Sequence, residues 1–454
     1  MPKPNRNWRP SSSQRRDGVL VDAWHGLRYA TAPVRFGPPS PAQGRLDAAR
    51  LVDVPIFPQR PSRLAAAMGS GTQNPQSEDA FFANVWAPSG AEGVPVLLFI
   101  HGGAWMTGGG SQEWYDGGVL ASRGVVVVTV NYRLGALGHL GRAEDCDLPL
   151  PAADLLEALR WVGDHIQMFG GDPNRMTVVG QSAGGWYAHL LSVLPRTRGL
   201  VHRLSLLSMG TREPWTPRRQ AEVTRRTIEQ LGGANLAEVS AGELMDAGIK
   251  ALGQQPSVLG HAPSAFLPVG SAGLPELLLD PKWGARACHA QAVHLRCTAD
   301  ESAAFLFASP QHRDATQPQV DEALSSWDPA DIPQSLRRDG RYAGSASGLS
   351  PYRQLVAASS WRQFQRFPTE YAEALLATGT CARLETFSEE SGLSGLHSGH
   401  CLDLPFQFGT RHAWTDAPML RGFDDERFEA VSQRLVGGLI AFATGKTNEP
   451  VSRG

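Results

Sequence analysis

A chain of 454 residues can bury a large core, as one big α/β domain or two or three smaller ones. A hydrophobic share of 42% and a charged share of 19% are those of an ordinary globular protein, and a net charge of −2 excludes the basic footprint of a nucleic-acid binder. No apolar run approaches the ~18 residues of a membrane span, so no membrane partner is expected.

The chain opens on the polar, proline-broken MPKPNRNWRP, without the apolar core of a signal peptide. Residues 1–17 read as a flexible arm, followed by strand and helix signals in alternation. VPVLLFIHGG (94–103) reads as a buried strand ending in glycines, and GVVVVTVNYR (124–133) as a second, β-branched one. PAADLLEALRWVGDHIQMFGG (151–171) has helical spacing, with Leu155, Leu159, Val162 and Ile166 near one face. Pro151 suits its first turn, and Gly170–Gly171 its stop. RMTVVG (175–180) is a third strand and AGGWYAHLLSVL (183–194) a helix. RLSLLSMG (203–210), AQAVHLRCT (290–298) and CARLETFSE (381–389) are the fourth, fifth and sixth strands. Strands separated by helices imply a mostly parallel sheet with right-handed crossovers. Residues of about 211–285 and 306–378 read as largely helical cap insertions within a single domain spanning 18–454.

The third strand runs into Gly180-Gln181-Ser182-Ala183-Gly184 and then a helix. G-x-S-x-G alone is expected by chance in roughly one such chain in three. Strand, G-x-S-x-G and helix together are the setting of a nucleophile elbow. Small residues at 180, 183 and 184 permit a strained turn that exposes Ser182 Oγ. The helix start aims its N–H groups at the same place. HGGAW (101–105) directly follows the first long strand, so the N–H groups of Gly103 and Ala104, with that of Ala183, would form a three-donor oxyanion hole. TGGGS (107–111) lacks phosphate-loop spacing and reads as a flexible loop.

A nucleophilic serine needs a base, and the base a carboxylate. The fifth strand ends in CTADESAAF, offering Asp300 or Glu301. The sixth is followed by LHSGHCLDLPFQFG, offering His397 or His400. Both lie at predicted strand ends, where ligands gather in α/β sheets. Spacing alone leaves both pairs open. The cysteines (Cys146, Cys288, Cys297, Cys381 and Cys401) are odd in number without tight pairs, which suits free thiols and a cytoplasmic setting. No C-x-x-C or H-E-x-x-H spacing suggests a metal, and no cofactor is expected. Cys401 beside His400 would point away from it in an extended segment. Scarce lysine beside abundant Ala, Gly and Pro suits a GC-rich bacterial genome.

In combination these pieces resemble the type-B carboxylesterase family, the cholinesterase-like α/β-hydrolases that include bacterial para-nitrobenzyl esterases. GLRYATAPVRFGPP (26–39), SEDAFFANVWAP (77–88), HGGAW, NYRLGALG (131–138), ALRWV (158–162), FGGDP (169–173), GQSAG and FATGKTNEP (442–450) follow in family order. The resemblance implies Glu301 as the acid and His400 as the base, and gives Arg133 and Asp154 structural places. Ala80 stands where secreted relatives carry a disulfide cysteine, and neutral Gln181 where a glutamate is usual, which argues against a cationic substrate. The implied protein is a serine carboxylic-ester hydrolase of small to medium, neutral esters. Trp105, Gln181 and Trp186 are expected to line its pocket. The alternatives are the same triad used on amides or carbamates, and a non-catalytic binding protein on this fold.

Overall fold

A computed structural model of the chain describes residues 9–42, 49–141, 146–253, 259–260 and 264–446. Nine strands form one sheet: β1 (Ser12–Arg16), β2 (Val19–Arg28), β3 (Phe82–Pro88), β4 (Val94–Ile100), β5 (Val126–Val130), β6 (Gly171–Gln181), β7 (Arg203–Leu207), β8 (Ala292–Thr298) and β9 (Cys381–Phe387). Their spatial order is β1-β2-β3-β5-β4-β6-β7-β8-β9. From β5 to β9 every neighbouring pair is parallel, while β1, β2 and β3 add an antiparallel edge. This is the α/β-hydrolase fold, a large, mostly parallel central sheet flanked by helices.

The six strands read from apolar runs are all present. The inner ones are buried on both faces and need largely hydrophobic sequence, as VVVTV of β5 shows, whereas β9 at the sheet edge is partly exposed. Helix α1 (Leu150–His165) carries Pro151 in its first turn, and the following 3-10 turn (Ile166–Phe169) stops at Gly170, whose φ is 84°. The antiparallel edge was not anticipated. In β2, Val21, Ala23, His25 and Leu27 are buried and alternate with more open residues, the period of a half-covered strand. Ser12–Arg16 falls within the arm expected over 1–17 but pairs in register with β2 from Ser12–Ala23 to Arg16–Val19. Residues 1–8 lie outside the described residues.

Helix α2 (Ala183–Val193) packs so tightly on the sheet that two glycines are obligatory. A Cβ on Gly184 would come 2.1 Å from the carbonyl oxygen of Ile100, and one on Gly180 would come 2.4 Å from that of Gly184. The segment of about 306–378 is mainly helical, while the described part of 211–285 divides between helices and irregular chain. Helices α3 (Pro217–Gln230) and α4 (Ala241–Leu252) pack together. Helix α5 (Pro281–Ala287) packs against α7 (Arg366–Ala377), which a π-helical turn over 361–365 joins to α6 (Pro351–Ser360). The TGGGS run is a loop that lies close against its neighbours. Gly109 and Gly110 are pinned against Ile56 and the backbone of Val130, and Gly108 N–H donates to Gln59. Such close backbone approach is what its glycines permit.

Candidate active site

Strand register brings the chemistry to one edge of the sheet. Ile100 pairs with Gly180, Gln181 and Arg296 pair with Leu207, and Thr298 pairs with Phe387. The segments carrying the glycines, the serine, the carboxylate and the histidine therefore leave the sheet side by side at its carboxyl edge. Ser182 stands between β6 and α2 with φ 54° and ψ −119°, a region non-glycine residues avoid. The turn is held by Ser182 N–H donating to Leu207 O at 2.9 Å and by Gly210 N–H donating to Ser182 O at 3.2 Å.

His400 Nε2 lies 2.9 Å from Ser182 Oγ, and His400 Nδ1 lies 2.5 Å from Glu301 Oε2. Thr298 N–H donates to the other oxygen, Glu301 Oε1, at 2.7 Å, and His400 N–H donates to the backbone oxygen of Glu301 at 3.0 Å. Glu301 is fully buried and His400 nearly so, while Ser182 keeps 9% of its surface, enough to present its hydroxyl. Burial disfavours a charged His400, but Cys401 and Glu301 favour it. The net effect raises its pKa well above the ordinary histidine range.

The discarded alternatives form a separate group. Asp300 accepts from Ser398 N–H at 3.4 Å and pairs with Arg353 at 3.3 Å. The His397 ring lies 6.3 Å from that of Tyr352, on a residue with φ 51°. Thus one residue of each candidate pair points into the site and the other away.

Gly103 (φ 119°), Ala104 (φ 54°) and Trp105 (φ 60°) all adopt positive φ. At Gly103 a Cβ would strike the Thr107 carbonyl oxygen at 1.9 Å, so no side chain fits. Among the described residues no hydrogen bond uses the N–H of Gly103, Ala104 or Ala183. Backbone donors free of internal partners are what an oxyanion hole requires.

Of the expected pocket residues, Gln181 is buried. Its Nε2 lies 3.4 Å from both His400 Nε2 and Cys401 Sγ. Trp105 borders the elbow, since a Cβ on Gly210 would sit 3.5 Å from its ring. Trp186 does not line a pocket. It is fully buried, edge-to-face with Tyr187 at 5.3 Å, because helical spacing turns it into the core. Cys401 also departs from expectation. Its φ is 72° rather than extended, so its thiol remains within electrostatic reach of His400. Arg133 and Asp154 form a buried ion pair at 2.6 Å away from the serine. The cysteines are free, and Ala80 is fully buried.

Two groups escaped sequence reading. Phe305 and Phe364 lay their rings 5.4 and 4.7 Å from that of His400. Phe305 follows Glu301 by four residues, a legible proximity, whereas nothing marks Phe364. The second is a cluster in which Arg296 pairs with Asp403 at 2.7 Å and donates to Gln407 at 2.7 Å. This buried cluster ties the chain just after His400 to β8. Among the described residues no group of three or more His, Cys, Asp or Glu side chains could hold a metal, and no helix is long and apolar enough to cross a membrane.

A serine on a strained strand–helix turn, hydrogen-bonded to a histidine that a buried carboxylate holds, defines the class of α/β serine hydrolases. Comparison with known proteins agrees. The model of the carboxylesterase family matches residues 10–247, more than half of the chain. A Rhodococcus erythropolis protein named as a probable N-octanoylanthranilate hydrolase is 32% identical over 88% of this chain and 84% of its own. The phenmedipham hydrolase of Pseudarthrobacter oxydans is 30% identical over 94% of this chain and 82% of its own. A solved PNB esterase superposes with a TM-score of 0.73 at 26% identity, covering 97% of this chain and 90% of that one. The chain belongs to the carboxylesterase family and is a serine hydrolase of carboxylic esters.

Proposed function

We propose that Ser182, His400 and Glu301 carry the reaction, with the N–H groups of Gly103, Ala104 and Ala183 as the oxyanion hole. The hydrogen-bonded chain from Ser182 Oγ through both imidazole nitrogens to Glu301 carries this reading. His400 Nε2 takes the Ser182 proton as Oγ attacks the ester carbonyl. The oxyanion rests on the three N–H groups. His400 returns its proton to the departing alcohol, and water repeats the sequence on the acyl-enzyme. Glu301 fixes the tautomer with Nδ1 protonated and stabilises the imidazolium.

The substrates are small to medium neutral esters, and the segments of about 211–285 and 306–378 cap the site. Neutral Gln181 beside His400 supplies no anionic seat for a cation. The protein works in the bacterial cytoplasm, a reading supported by its free cysteines and arginine-rich, lysine-poor composition. Because two similar proteins are named as hydrolases of N-octanoylanthranilate and of phenmedipham, a second reading extends the same triad to amides or carbamates. The test is hydrolysis of p-nitrophenyl esters from acetate to dodecanoate by wild type and Ser182→Ala, with matched amides beside them. Turnover of esters by wild type alone is expected. Equal turnover by Ser182→Ala would overturn the mechanism, and faster amide turnover would favour the second reading.

A further inference from the structure

The insertion 306–378 reaches into the site through one turn. Between α6 and α7 the helix widens into a π turn over 361–365. Such turns alter the direction of side chains within an otherwise regular helix and recur at functional sites. Here the turn is tied to the two backbones that build the site. Gln363 O accepts from Thr211 N–H at 3.3 Å and from Thr211 Oγ1 at 2.8 Å. Thr211 directly follows Gly210, whose N–H holds the carbonyl of Ser182. On the other side, Phe364 O accepts from Cys297 Sγ at 3.3 Å. Gln365 Nε2 donates to Thr298 O at 2.9 Å and Ala299 O at 3.0 Å, on the strand end that leads to Glu301.

Held from both sides, Phe364 places its ring 4.7 Å from the His400 ring and stacks on Phe305 at 5.9 Å with 6° between planes. An ester carbonyl attacked by Ser182 must lie within reach of His400 Nε2. Its substituents therefore pass beside whatever covers that imidazole. We propose that Phe364 is a specificity-determining residue, a rigid apolar wall that limits the size of the ester substituent accommodated beside His400. This rests on the proposed role of Ser182. A wall of this kind acts by steric exclusion, and a change of one methylene in such a pocket is worth about 10–200-fold in kcat/KM.

The experiment measures kcat/KM for wild type, Phe364→Leu and Phe364→Ala on two series. One varies the acyl chain from acetate to octanoate with p-nitrophenol as leaving group. The other varies the alcohol of acetate esters from methyl to naphthyl. Each preparation is normalised to the serine titrated by a p-nitrophenyl phosphonate burst. Phe364→Ala is expected to raise the ratio of largest to smallest substrate at least about tenfold in one series, with Phe364→Leu intermediate. Should Phe364→Ala fail to fold, Phe364→Leu carries the test, because it removes part of the ring's bulk while keeping an apolar side chain in place. Variants that titrate like wild type and keep its ratios in both series overturn the proposal. A uniform loss across all substrates, which a merely structural role would give, also overturns it. Wild type that neither titrates nor turns over would overturn the reading of Ser182 itself.

Discussion

The molecule contains a second serine, histidine and glutamate in a hydrogen-bonded row, and its difference from the first is instructive. Ser205 Oγ lies 2.9 Å from His294 Nδ1, and His294 Nε2 lies 3.1 Å from Glu385 Oε2. These residues stand on β7, β8 and β9, with Ser205 directly opposite His294 in the ladder. The residue types match those at Ser182, but the surroundings do not. Ser205 sits on regular strand backbone whose ladder occupies neighbouring N–H groups, so no oxyanion donors face it. It is fully buried, and Phe442 of the C-terminal helix α8 (Asp425–Thr444) lies 5.6 Å from the His294 ring. Burial lowers the pKa of His294, though Glu385 opposes the shift, whereas His400 is raised. A triad is therefore not a set of residue types. The proposed one differs in placing its hydroxyl on a strained turn at a strand end, beside backbone N–H groups without internal partners.

The sharpest break in this comparison is paired serine removal. Ser182→Ala should cost about 10⁴-fold or more in kcat on p-nitrophenyl butyrate, while Ser205→Ala stays within about twofold. Comparable losses at both would mean that the buried row takes part in turnover. Next in size, Glu301→Gln should lower kcat by about 10²–10⁴-fold, and Asp300→Asn should leave it nearly intact. Steady-state kinetics would expose the opposite pattern. Gly103→Ala should cost about 10²-fold or more in kcat, because its Cβ collides with Thr107 and displaces the loop. An unaltered rate would remove that loop from the oxyanion hole. His397→Ala should keep most activity and His400→Ala lose it.

The smallest effect concerns acid stability of the buried row. Burial opposes ionisation of Glu385, but its hydrogen bond to His294 and the charges around it hold the carboxyl at about 2. A depressed carboxyl pKa stabilises the fold above its unfolded value and loses that contribution as pH falls from about 4.5 toward 2. Glu385→Gln should therefore flatten the fall of Tm between pH 5 and 2.5. At the same time it should leave kcat near neutrality unchanged. A wild-type slope in that variant would show that Glu385 contributes no pH-dependent stability.

The chain's own order of residues determined much of this protein. Continuous apolar runs specified the buried parallel strands, because a strand covered on both faces has no polar positions to interrupt it. G-x-S-x-G between strand and helix located Ser182, because only small residues permit that backbone. The antiparallel edge was less legible, since β2 is half-covered, with polar His25 at a buried position and apolar Trp24 at a more open one. Spacing left open which residue of each candidate pair points inward; the family resemblance implied the choice, and tertiary structure supplies its physical reason. Asp300 and Glu301, like His397 and His400, are equivalent by spacing. The turn after β8 directs Glu301 to the imidazole and Asp300 to Arg353. Tertiary structure alone decided that Trp186 belongs to the core, that Cys401 stays beside His400, and that Phe364 arrives at the site from an insertion. These depend on contacts between residues far apart in the chain, and no local pattern records where such contacts close.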